Sequence, residues 1–146
     1  MQRGLTLIEL MVVIAILAIL ASFAVVGINS WVRDMKVQED VRIIYSVLKS
    51  AQRRAFLEKV ECCVSFNGSS VFMECDNSSN AVVYLKTSFV ADKKVCYDKS
   101  GFTNDNVSVC YNGVSDAKYS CVSVDFIEIR FGKAKWEDGK CSCEHR

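Results

Sequence analysis

Met1-Gln2-Arg3-Gly4-Leu5-Thr6-Leu7-Ile8-Glu9-Leu10 leads into an apolar run that decides the reading of the chain: from Leu10 to Ile28 no residue is charged, and only Ser22 and Gly27 interrupt the large aliphatic and aromatic side chains and alanines. At 1.5 Å per helical residue this run spans about 28 Å, close to the hydrocarbon thickness of a bilayer, and it reads as a transmembrane helix. Arg3 is the only charge before Glu9. A basic residue on so short a flank keeps that flank cytoplasmic, which predicts a single pass with the later residues facing outward.

Glu9 is the exception inside the apolar stretch. A carboxylate deep in a bilayer costs roughly 2–3 kcal/mol and calls for a partner. A cut after Gly4 would supply one, because the new α-amine of Leu5, with an ordinary pKa of about 8, is mostly protonated at neutral pH. If the amine and carboxylate come from neighbouring copies, assembly itself removes the cost of the buried charge.

The residues Arg3-Gly4-Leu5-Thr6-Leu7-Ile8-Glu9-Leu10 resemble the processing site of type IV prepilins and type II secretion pseudopilins. The resemblance implies a leader of residues 1–4, cleavage between Gly4 and Leu5 by a prepilin peptidase, N-methylation of Leu5, and a role for Glu9 in assembly. Leu5 stands where the family usually has phenylalanine. Two plainer readings compete. A cleaved secretory signal would use Ser22-Phe23-Ala24 as its small-residue site, and a simple signal anchor would explain the hydrophobicity. Neither accounts for Gly4 and Glu9 together.

Beyond Asn29 the pattern turns amphipathic. Trp31, Met35, Val41, Ile44, Leu48, Ala51 and Ala55 recur at mostly three- and four-residue intervals, with Arg33, Asp34, Lys36, Glu39, Asp40, Arg42 and Lys49 between them. This predicts one helix with a single apolar stripe. The chain has no proline, so nothing of that kind breaks the helix. The segments expected are 5–29 as the transmembrane and assembly half, 30–59 as the amphipathic half, and 60–146 as a small domain.

Residues 60–146 hold short alternating runs separated by Gly, Asn, Asp and Ser. Val60–Phe66 and Val71–Cys75 flank Asn67-Gly68-Ser69-Ser70, the signature of a hairpin. Ala81–Lys86, Val95–Asp98, Val107–Tyr111 and Ser120–Ile129 are further strand candidates. The fold class is therefore α+β, one long helix and an antiparallel sheet; the resemblance to prepilins implies the type IV pilin fold, in which the long N-terminal helix packs on the small antiparallel sheet.

All eight cysteines lie in this part: Cys62, Cys63, Cys75, Cys96, Cys110, Cys121, Cys141 and Cys143. A small outward-facing domain favours disulfides. Connectivity cannot be read, although the close pairs Cys62/Cys63 and Cys141/Cys143 each point to two different partners. A metal site is not expected, because there is no Cys-x-x-Cys and His145 is the only histidine. Reactive free thiols would require a reducing compartment. Three Asn-x-Ser sequences begin at Asn67, Asn77 and Asn106.

Val47-Leu48-Lys49-Ser50-Ala51-Gln52-Arg53-Arg54-Ala55-Phe56 is similar to the helix end of FimT/GspH-type minor pilins and pseudopilins, and Asp98-Lys99-Ser100-Gly101-Phe102 and Phe131-Gly132-Lys133-Ala134-Lys135-Trp136 look like later landmarks of that group. Some FimT-like pilins carry a Gly-Arg-x-Arg element linked to DNA binding. Gly132-Lys133-Ala134-Lys135 matches its position with lysine for arginine, and Trp136 could stack on a base. A net charge of +1 gives this no general support. No catalytic motif is present, so no enzyme activity and no cofactor are expected.

The functional expectation is a minor structural subunit of a type IV pilus or type II secretion pseudopilus. It would be stored in the inner membrane with its N-terminus cytoplasmic, then assembled with other pilin subunits into a periplasmic or extracellular filament. The alternatives are a DNA-binding minor pilin for DNA uptake and a membrane-anchored extracellular disulfide-rich binding domain.

Overall fold

The structure is a computed structural model that describes residues 6–76 and 81–145. The chain divides into two compact units, Met1–Arg33 and Asp34–Arg146. Among the described residues one helix, α1 (Leu7–Glu58), contributes to both and is followed by seven strands. These are β1 (Cys62–Cys75), β2 (Ala81–Ala91), β3 (Val95–Tyr97), β4 (Val107–Tyr111), β5 (Cys121–Asp125), β6 (Glu128–Glu137) and β7 (Lys140–Glu144). All pairings are antiparallel, in the order β3-β1-β2-β4-β5-β6-β7. A long N-terminal apolar helix with an antiparallel sheet is the α+β, type IV pilin-like architecture.

In the second unit, α1 buries Val37, Val41, Ile44, Leu48, Ala51 and Ala55, all with no exposed surface. Their alternating four- and three-residue spacing keeps them on one face of a 3.6-residue helix. They share a core with Val64, Val71, Phe89, Val109 and Val122 from the sheet. Fully burying each large aliphatic or aromatic side chain stabilises the fold by roughly 1.5–3 kcal/mol. Trp31 and Met35, expected on this stripe, are instead 62% and 50% exposed. Met35 lies two positions before Val37, which turns it away from the packed face.

Asp40 departs from expectation in the opposite direction. It is completely buried among the core residues, not on the wet side of the helix. Its carboxylate accepts the Lys86 amide at 3.1 Å, the Thr87 amide at 2.7 Å and the Thr87 hydroxyl at 2.6 Å. The cause lies in the sheet. β1–β2 pairing jumps from Ser70↔Tyr84 to Gly68↔Phe89, and Lys86 and Thr87 fall in the irregular part of β2 between those pairs. The ladder does not take up their amides there, and the carboxylate does.

The ends of β1 meet. Cys62 and Cys75 are 4.1 Å apart at Cα, and the Asp76 amide donates to the Glu61 carbonyl at 3.0 Å. An extended strand of this length would place its ends about 40 Å apart, so β1 doubles back on itself. The reversal centres on Gly68, whose φ of +59° suits a residue without Cβ. The Asn67–Ser70 turn read from the sequence is this reversal.

The run expected as one strand over Ser120–Ile129 is two strands. Asp125 pairs with Glu128 across a tight turn made of Phe126 and Ile127. Neither is a turn former, and tertiary contacts hold them: Phe126 stacks on Phe102 at 4.9 Å, its carbonyl accepts the Thr103 amide at 2.9 Å, and Gln52 Nε2 donates to the Ile127 carbonyl at 3.0 Å. The sequence reading also lacked β7. Asp138-Gly139 connects it to β6 with φ of +49° and +76°, the backbone of a type I′ hairpin.

β6 changes partners along its length. Glu128–Gly132 pairs with β5, and Lys133–Glu137 pairs with β7. Along β4 and β5, Val109 and Val122 face the helix, so the adjacent Cys110 and Cys121 face the other side. There they bond to β7 through Cys110–Cys141 and Cys121–Cys143, which staples the β6–β7 ribbon to the face away from α1. Gly132 sits at the change of partner. A Cβ there would lie 2.6 Å from the Glu144 carbonyl oxygen and 2.7 Å from Cys143 Sγ, so only glycine lets β7 approach.

Candidate assembly surfaces

The first surface is the N-terminal part of α1. The Glu9 amide donates to the Thr6 carbonyl at 3.1 Å and faces the Thr6 hydroxyl oxygen at 3.4 Å, so Thr6 caps the helix. Glu9, three residues on, stands in the first turn, where a negative charge complements the helix dipole. From Leu7 to Ser22 every side chain is exposed. The helix is long and apolar enough to cross a membrane, and none of its most apolar window is buried within the protein. An exposed apolar surface of this size marks an interaction surface. Gly4 and Leu5, with the 1–4 leader and the expected cleavage point, lie outside the described residues.

The second surface is a groove of about 690 Å³ on the compact unit. Tyr45, Phe56, Phe102 and Ile127 give it an apolar lining, with Lys49 and Arg53 at the same site. Gly101 lets the loop after β3 lie against the helix. Its φ is +77°, and an added Cβ would come within 3.2 Å of Phe56 Cβ and 3.3 Å of the Gln52 carbonyl oxygen. Gln52 Nε2 also bonds the Gly101 carbonyl at 3.1 Å. The sequence marked Phe56 and Phe102 as landmarks but gave no sign that α1, this loop and the β5–β6 turn converge.

The third surface is the outer half of β6, with Lys133, Lys135 and Trp136. Alternation along the strand puts both lysines on one face and Trp136 on the other, with Ala134, which packs against the Cys110, Cys121 and Cys141 cluster. The fold therefore does not bring the two cations and the indole onto one surface. Lys135 Nζ lies 2.9 Å from Glu137, and Lys133 Nζ is 3.9 Å from Asp116. Nearby, Arg130 pairs with Glu128, which lowers the Glu128 carboxyl and raises the guanidinium from their ordinary values.

The cysteines form four bridges: Cys62–Cys75, Cys63–Cys96, Cys110–Cys141 and Cys121–Cys143. Neighbours in sequence thus go to different partners. Of the three Asn-x-Ser sequences, the one at Asn77 lies outside the described residues.

An apolar, capped helix carrying one early acid, followed by a disulfide-bonded antiparallel sheet, defines an α+β chain with a membrane-length N-terminal helix. Residues 1–25 match the prokaryotic N-terminal methylation motif, the motif of type IV pilins. Over 43 residues the chain is 46% identical to the type IV major fimbrial protein FimA of Dichelobacter nodosus, covering 30% of this chain and 27% of that protein. FimA of Dichelobacter nodosus strain VCS1703A is also 46% identical over 43 residues, 26% of its length. The chain thus spans about a quarter of the length of these curated relatives. No solved structure matches it. The motif and the fimbrial similarity both lie in the N-terminal region and are consistent with a pilin-like family.

Proposed function

We propose that this chain is a minor subunit of a type IV pilus or a type II secretion pseudopilus. A prepilin peptidase cuts it between Gly4 and Leu5 and methylates Leu5. Before assembly it spans the inner membrane once with its N-terminus in the cytoplasm. It then leaves the lipid and joins other pilin subunits through α1, with Glu9 neutralised by the Leu5 amine of a neighbour.

The observation that carries this reading is the uncovered apolar helix Leu7–Ser22, with Glu9 in its first turn, preceding a unit that has its own core and four disulfides. A plain signal anchor has no use for an acid there. The disulfides favour an oxidising space for the sheet domain. The absence of proline and the FimT/GspH-like residues after Val47 favour a minor subunit. DNA binding through Lys133, Lys135 and Trp136 is the weaker reading, because the strand separates the indole from the lysines and each lysine has a carboxylate neighbour.

Mass spectrometry of the mature N-terminus tests the proposal. It predicts a chain starting at methylated Leu5. A start at Met1, or after Ala24, would overturn it. Glu9→Ala should leave the sheet domain folded and the chain in the membrane but abolish its entry into filaments.

A further inference from the structure

Cys63–Cys96 differs from the other three disulfides in its surroundings. Cys62, Cys75, Cys110, Cys121 and Cys141 are buried, and half-buried Cys143 bonds to a cysteine with no exposed surface. In Cys63–Cys96 both residues are half-buried. The pair joins β1 to β3, a three-residue strand at the sheet edge, where the two cysteines stand opposite each other with Cα atoms 4.0 Å apart. An accessible disulfide is the one a reductant reaches first.

Opening this bond would not release β3. Val95 and Tyr97, on either side of Cys96, have no exposed surface and belong to the main core. Both thiols would therefore stay side by side. Glu61 stands next to them, with a carboxylate oxygen 3.9 Å from Cys63 Sγ, and one ligand atom from each of Glu61, Cys63 and Cys96 fits within a 4.8 Å spread. Glu61 and Cys63 border an open hollow of about 390 Å³ whose other charged residues are Glu74, Asp76 and Lys94. Two sulfurs and a carboxylate with access to solvent form a donor set for zinc-like cations, with a fourth position left to water.

We propose that Cys63–Cys96 is the reducible bond of this protein, and that opening it creates a site for a thiophilic divalent cation held by the Cys63 and Cys96 thiolates and the Glu61 carboxylate. A dithiol reductant supplies two electrons and two protons. The Cys63–Cys96 S–S bond breaks, the reductant closes to its own disulfide, and each cysteine leaves as a thiol. Metal binding then displaces both thiol protons to solvent. In the oxidised chain the sulfurs are bonded to each other and the site does not form, so cation binding reports the redox state of this sheet edge.

The test uses the full-length chain in detergent micelles, reduced stepwise with dithiothreitol and alkylated at each stage. Peptide mass spectrometry should find Cys63 and Cys96 labelled first. Cobalt(II) added to the partly reduced chain should give thiolate-to-cobalt charge-transfer absorption, and zinc should protect both cysteines from alkylation. Glu61→Gln leaves the disulfide and the Glu61 backbone carbonyl in place, and it should weaken cobalt binding about tenfold or more without changing the order of reduction. The proposal falls if another pair opens first, if the partly reduced chain gives no charge-transfer band, or if Glu61→Gln binds cobalt as tightly as the unaltered chain.

Discussion

Asp40 on α1 and Thr87 on β2 are joined twice through one atom: the Thr87 amide at 2.7 Å and the Thr87 hydroxyl at 2.6 Å both donate to Asp40 Oδ2. The second carboxylate oxygen takes the Lys86 amide, so one buried side chain satisfies the donors of an irregular strand segment and ties it to the helix. Asp40→Ala should therefore cost about 2–3 kcal/mol of unfolding free energy, because it strands these amides away from water. Thr87→Val should cost about 1 kcal/mol. Denaturant melts of both single variants and the double variant should show coupling between the sites, since the hydroxyl bond cannot be lost twice.

Gly132 and Gly139 provide a contrast within one ribbon. Gly132→Ala puts a methyl group against the Glu144 carbonyl and Cys143 Sγ, and it should destabilise the domain by about 2–3 kcal/mol through overpacking. Gly139→Ala meets no atom within 4 Å but sits at φ +76°, so it should cost only about 1 kcal/mol of backbone strain. Thermal melts of the two variants should rank them in that order.

Tyr97 is fully buried, and among the described residues its hydroxyl has no hydrogen-bond partner. Desolvation holds its pKa above the ordinary value of 10.0. Tyr97→Phe should be neutral or stabilising by about 1 kcal/mol, because it removes a buried polar group without orphaning another. The sign with pH follows from the raised folded-state pKa. The neutral hydroxyl favours the fold fully below the unfolded pKa, and this contribution is lost as pH rises from there through the folded value. The unaltered chain should lose stability on this account above about pH 10, and the phenylalanine variant should not. Unfolding curves at neutral and alkaline pH would measure the difference.

The β6–β7 ribbon is held to the sheet face by Cys110–Cys141 and Cys121–Cys143. Replacing Cys121 and Cys143 together by alanine should cost about 2–4 kcal/mol. Hydrogen exchange should rise mainly over residues 133–144, while the amides of the buried helix face stay protected.

Much of the local organisation was legible in the chain. The apolar run before Asn29, the four-three spacing of Val41, Ile44, Leu48, Ala51 and Ala55, and the glycine turn at Gly68 each follow from a period or a residue type that acts over a few neighbours. The Asp138-Gly139 turn is equally legible, because Asp-Gly accepts the positive φ of a tight hairpin. Met35 leaves the stripe because loose three- and four-residue spacing among apolar residues does not keep the strict helical phase that Val37 sets.

The rest depended on contacts between residues far apart in sequence. Asp40 looks like a solvated acid until the broken β1–β2 register supplies donors for it. Phe126 and Ile127 look like strand residues until Phe102, Thr103 and Gln52 hold them in a turn. No spacing rule pairs Cys63 with Cys96 or sets Glu61 beside them, and alternation on a strand, not proximity in sequence, separates Trp136 from Lys133 and Lys135. By itself the sequence determined the membrane-length helix with its early acid, because hydropathy and helical period are properties of the chain. The tertiary structure decided which polar groups are buried, which cysteines meet and which surfaces form, because those outcomes depend on which distant segments satisfy one another's hydrogen bonds and exclude water together.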